Sequence, residues 1–61
     1  MASVAKILRA IERLDPEIFE ECGMGEVEDT VVDMHEQGDF ADMEQYAAAE
    51  LAIDTVREMY A

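Results

Sequence analysis

The chain has 61 residues, with 16 Asp or Glu against 4 Lys or Arg and a formal charge of −12 with its single His neutral. That length leaves room for one small domain, residues 1–61, and the charge argues against direct binding to nucleic acid or to an anionic membrane, both of which are polyanions. The longest unbroken apolar run, Tyr46 to Ala49, is too short to cross a bilayer, and the one cysteine, Cys22, cannot form an internal disulfide.

In chain order, Ser3 stands as an N-cap for a first helix over residues 3–14. Val4, Ile7, Leu8, Ile11 and Leu14 follow at helical spacing and form one stripe, with Lys6, Arg9, Glu12 and Arg13 on the remaining surface. Asp15-Pro16-Glu17 predicts a stop and restart, because proline disfavours the helical state in the residue before it and suits a first helical position behind an Asp cap. A short second helix, Pro16 to Cys22, presents Ile18, Phe19 and Cys22. Gly23 and Gly25 around Met24 predict a turn. A third helix is expected from about Glu26 to Gln37, ending at Gly38. Its apolar side is Val27, Val31 and Met34, with Val32 off that stripe and His35 on its flank, expected to be partly buried and satisfied. Asp39 is expected to cap a long last helix, Phe40 to Tyr60, running unbroken through Ala47-Ala48-Ala49 because alanine is the best helix former.

That last helix presents a difficulty. Phe40, Met43, Ala47 and Leu51 fall on one face, whereas Ala49, Ile53, Val56 and Tyr60 fall nearly opposite. A straight helix cannot bury that whole first line against one core, so Ile53, Val56 and Tyr60 are expected to meet a twin subunit or another partner, the alternative being a helix sandwiched between others of its own bundle. No stretch alternates apolar and polar residues with β-branched enrichment. The expected fold is all-α, a small bundle of three to four helices with the last the longest.

Chemistry-bearing clusters are scarce. The only serine is the Ser3 cap, so neither a serine triad nor the Asp-Ser-Leu attachment motif of acyl carriers is present. One His and one Cys do not make a zinc pattern. A di-iron pair would need Glu three residues before His35, where Val32 stands. Asp29 to Phe40 lacks the alternating ligands and central glycine of a calcium loop. The expectation is a protein without catalytic residues, metal or cofactor. No charged-then-apolar leader precedes a cleavage-like site, which with the lone cysteine points to the cytoplasm.

What remains is acidity, and it is patterned. Residues 1–15 hold Lys6, Arg9 and Arg13 against Glu12 and Asp15, a local +1, while residues 16–61 hold Arg57 against 14 acids, a local −13. The first helix is thus a candidate internal counter-charge. Glu26, Asp29, Asp33 and Glu36 line up on the outer side of the third helix, spaced three, four and three, and Glu50, Asp54 and Glu58 form a second line with Arg57 beside it. Four carboxylates over ten helical residues extend about 15 Å, or about 5 Å per charge. Phosphates on one DNA strand advance about 3.4 Å per step. Salt adaptation and simple solubility are the competing origins of such charge.

In size, charge and helical character the chain resembles the small acidic inhibitors encoded by phages and mobile elements, among them anti-CRISPR and anti-restriction proteins, several of which mimic DNA. That resemblance implies a non-catalytic inhibitor whose two acidic lines, Glu26, Asp29, Asp33 and Glu36 with Glu50, Asp54 and Glu58, occupy the nucleic-acid site of a basic target, a CRISPR effector or nuclease of the host cytoplasm. The alternative expectation is a helical interaction module, a homodimer or adaptor, acting through Ile53, Val56 and Tyr60.

Overall fold

The computed structural model describes residues 2–60, which form four helices and no strand: α1 Val4–Leu14, α2 Ile18–Glu21, α3 Met24–Glu36 and α4 Gln45–Met59. The last is the longest. Helix α1 begins where its cap dictates, since Ser3 is extended and its Oγ accepts the Lys6 amide at 3.2 Å. The stripe is buried at Ile7 and Ile11, half-buried at Val4 and Leu8, and open at Leu14; Ala10 is buried beside it. The short second element is trimmed to a single turn. Residues 16 and 17 form a turn, and the Asp15 carboxylate is engaged by Arg57 rather than by an amide of that turn.

Helix α3 starts two residues earlier than its polar face suggests. Gly23, at φ +90°, turns the chain directly into it, and Gly25 is simply helical. At its other end the Asp39 amide donates to the Met34 carbonyl at 3.0 Å and the Gly38 amide donates to the His35 carbonyl at 3.2 Å. With Gly38 at φ +81°, this is a Schellman stop. No atom would obstruct a Cβ there, so Gly38→Ala costs only the left-handed backbone strain, about 1 kcal/mol. For a chain of this size that corresponds to about 4–8 °C in thermal midpoint, measurable by circular dichroism.

The same stop corrects the expected last helix. Asp39 is spent on closing α3 and caps nothing. Residues 37–42 are turns, with Asp42 left-handed at φ +66°, and α4 begins five residues later than expected. Its cap is Glu44, whose carboxylate accepts the Tyr46 amide at 3.1 Å and the Ala47 amide at 2.6 Å. Phe40 therefore leaves the helix and enters the core from the connecting turn, fully buried. Without Phe40 and Met43, the first of the two expected faces shrinks to Ala47, which is exposed, and Leu51, which is half-buried.

Freed of Phe40 and Met43, α4 has one inner face: Ala48, Ala49, Ala52 and Val56, all fully buried. It packs most extensively on α1, where Ala10 is buried in turn, and α3 closes against both. The inner face of α4 is mostly alanine, whereas α1 contributes the larger Ile7 and Ile11 beside Ala10. Ile18 of α2, with Val27, Val31 and Met34 of α3, completes the core, and no polar or charged residue is buried among the described residues. The Cα radius of gyration is 10.1 Å, against about 10.5 Å expected for a folded chain of this length. The charge therefore sits on a closely packed scaffold.

Candidate functional site

Helix α3 is amphipathic in an unequal way. Val27, Val31 and Met34 anchor it, and everything at the opposite side is exposed: Glu26, Asp29, Asp33 and Glu36 stand in one line along its outer surface. Glu26 also accepts a hydrogen bond from the Tyr60 hydroxyl, and Asp33 accepts one from Gln37 Nε2 at 3.0 Å. Beside this line an open groove of about 890 Å³ runs between α3 and α4. All four carboxylates and Asp39 border it on the α3 side; Leu51, Thr55, Met59 and Tyr60 border it on the α4 side.

The second line, Glu50, Asp54 and Glu58, is exposed on the face of α4 away from Ala48, Ala49, Ala52 and Val56. None of the three lines the groove. At about 100° per residue, Glu58 projects within about 20° of Leu51, so this row begins where the groove's α4 wall ends. Glu50 and Asp54 also border a shallow cleft with Leu14, Asp15 and Ile53, on the α1 side. The two acidic lines thus lie on adjacent helices, with a groove of mixed polar and apolar lining between them, an arrangement the sequence does not disclose.

The chain's own cations leave these rows alone. Arg57 is the only cation in an ion pair among the described residues, and its partners are Asp15, at 2.8 Å, and Glu21, at 2.7 Å. The hydrogen bonds it donates, to Glu21 first and Asp15 second, hold the guanidinium proton more firmly than usual. Arg57 therefore ties α4 to the α1–α2 corner. Lys6, Arg9 and Arg13 of α1 are exposed and make no ion pair among the described residues; Arg13 donates to the Tyr46 hydroxyl at 3.3 Å. At contact distance, the expected counter-charge from the first helix is absent there, and α1 instead presents a basic face of its own, beside Gln45 and Tyr46.

The expected oligomer face is corrected. Val56 is fully buried in the chain's own core, because it belongs to the inner face of α4. Ile53 is half-buried against that core, and Tyr60 reaches back to α3. The three do not form one free surface. The Glu26 hydrogen bond is the main cause raising the Tyr60 phenol above its ordinary value, with desolvation second. Because the folded-state value is raised, this contact stabilises below the ordinary tyrosine range and is lost as pH climbs through the raised value. In a Tyr46→Phe background, absorbance at 295 nm should show Tyr60 ionising later than a free tyrosine, and Glu26→Gln should bring it back down. Coincident curves would place the hydroxyl in water.

Residues without a functional role in the sequence pattern complete the site. Asp39 reads there as a cap, and Val32 stands off the apolar stripe with no role. Val32 is 38% exposed, Tyr60 46% and Met59 59%. These are three of the five large apolar residues exposed among the described residues, and all three border this groove. Val32's displacement from the stripe is the signal that could have found it.

Other chemistry is already engaged elsewhere. Ser3 Oγ serves α1, and His35 Nε2, half-buried, donates to the Ala2 carbonyl at 3.2 Å, which fixes the proton on that nitrogen. Among the described residues no three His, Cys, Asp or Glu side chains converge in a way that would hold a metal ion, and no helix is long and apolar enough to cross a membrane. Comparison with protein-family models, with curated proteins and with solved structures finds no match to this chain.

Proposed function

We propose that this chain is a non-catalytic inhibitory binding protein, acting in the cytoplasm of a host cell, that offers its acidic helix faces to the nucleic-acid-binding surface of a basic target, in the manner of phage anti-CRISPR and anti-restriction proteins that mimic DNA. One observation supports the reading above the rest. Seven carboxylates, Glu26, Asp29, Asp33, Glu36, Glu50, Asp54 and Glu58, are exposed on rigid helices, and no cation of the described residues pairs with any of them. A carboxylate with no cation of its own is open to charge-assisted hydrogen bonds from Arg and Lys, with Glu26 and Asp33 each already accepting one neutral hydrogen bond.

The spacing supports it too. A carboxylate every ~5 Å supplies about two charges for every three phosphates of a DNA strand, dense enough for a groove built for phosphates. Association driven this way is fast and weakens with salt. The test is capture of basic proteins from a host lysate, with excess duplex DNA as competitor. DNA should displace the captured protein, and the variant carrying Asp29→Lys, Asp33→Lys and Glu36→Lys should capture none. Equal capture by that variant overturns the reading.

A further inference from the structure

The groove between α3 and α4 is more than a row of charges, and a phosphate mimic alone does not account for it. A surface that only imitates DNA has no use for exposed apolar side chains. Here Val32 and Met59 stand open on the rims of the groove whose α3 side carries Glu26, Asp29, Asp33 and Glu36, with Leu51 half-buried on the α4 side. Resting on the function proposed above, we infer that this groove takes a basic amphipathic α-helix of the target, its cations on the α3 carboxylates and its apolar side between Val32, Leu51 and Met59.

Charge complementarity names the sign of the occupant, and spacing names its conformation. The four carboxylates rise along α3 at about 0, 4.5, 10.5 and 15 Å. Cations at i, i+3, i+7 and i+10 of a docked helix rise by the same amounts and stay in register throughout. On an extended strand, side chains of one face recur about every 6.7 Å, so the fourth cation would lie about 5 Å out of register. The groove also lies between two packed helices, the place where a third helix seats its ridges. Basic helices are a common means by which proteins enter the DNA major groove, so capturing one would occupy the surface that DNA needs.

The test uses the whole chain and two synthetic peptides of about four helical turns. One carries Arg on one side and Leu on the other; its control keeps every Arg and replaces each Leu by Gln. Amide chemical shifts, followed during titration, report affinity and location. The amphipathic peptide should bind roughly ten- to a hundredfold more tightly than its control, the effect of burying about one side chain of this size, and should shift resonances at Val32, Leu51 and Met59. The double variant Val32→Gln, Met59→Gln alters only exposed positions and should remove that advantage while leaving the control peptide unaffected. Equal affinity of the two peptides, or shifts confined to the carboxylates, overturns the helix-docking inference and leaves the acidic-face reading standing. Unchanged binding of both peptides to the Asp29→Lys, Asp33→Lys, Glu36→Lys variant overturns that reading itself. Failure of both peptides to bind overturns the inference.

Discussion

Phe40→Ala is expected to remove most or all of the stability of this chain. Phe40 is the largest fully buried side chain, and it enters the core from a turn rather than from a helix. Truncating a buried phenylalanine costs about 3–5 kcal/mol. At the usual stability per residue, 61 residues sum to roughly 3–9 kcal/mol. Thermal unfolding followed by circular dichroism should show a midpoint lowered by upward of about 12 °C, or no native baseline at all. Phe40→Leu, which keeps much of the volume, should cost less than about 1.5 kcal/mol. A Phe40→Ala midpoint within a few degrees of wild type would mean that the turn, and with it the start of α4, lies elsewhere.

Phe40 also marks the limit of what periodicity discloses. The all-α class, the Ser3 cap, the inner faces of α1 and α3 and the stop at Gly38 are legible because each rests on local chemistry: a hydroxyl beside an amide, apolar residues at 3–4 spacing, a glycine where φ must be positive. The start of α4 is not. Asp39 is a better cap by type than Glu44, and only the folded chain shows that residues 39–42 continue in turns, which places the first amides of α4 beside Glu44 instead. Moving that boundary from 40 to 45 resolves the two-faced helix, buries Val56 and removes the basis for a dimer face through it. The acidic lines are visible as exposed faces, since helical spacing alone sets which side they share. Their relation is not, because a groove between α3 and α4 exists only once the core has fixed how those helices pack.

The triple charge reversal at Asp29, Asp33 and Glu36 should move binding and stability in opposite directions. On the proposed function, three attractive pairs with the target become three repulsive ones. Like-charge juxtaposition at an interface costs several kcal/mol, so affinity should fall by at least about a hundredfold at low salt. For the fold, each reversal removes one negative charge and adds one positive, which halves the net charge from −12 to −6. Asp33 and Glu36 also stand near the C-terminal end of α3, where the helix dipole disfavours anions and favours cations. Asp29 and Asp33, four residues apart, repel each other now, and two lysines there would repel equally, so the gain comes from the dipole and the whole-molecule charge. Against that gain stands the hydrogen bond from Gln37 to Asp33, which is exposed and which the reversal removes. The variant should therefore be more stable than wild type by on the order of 1 kcal/mol in ~10 mM salt, a gap that narrows as added salt shortens the screening length toward ~3 Å at 1 M. A variant that loses stability at low salt would show that these carboxylates serve the fold. One that gains stability and still binds would leave their alignment to salt tolerance or solubility. Gained stability together with lost binding is the outcome a docking face requires, because the carboxylates then weaken their own helix and are needed by a partner.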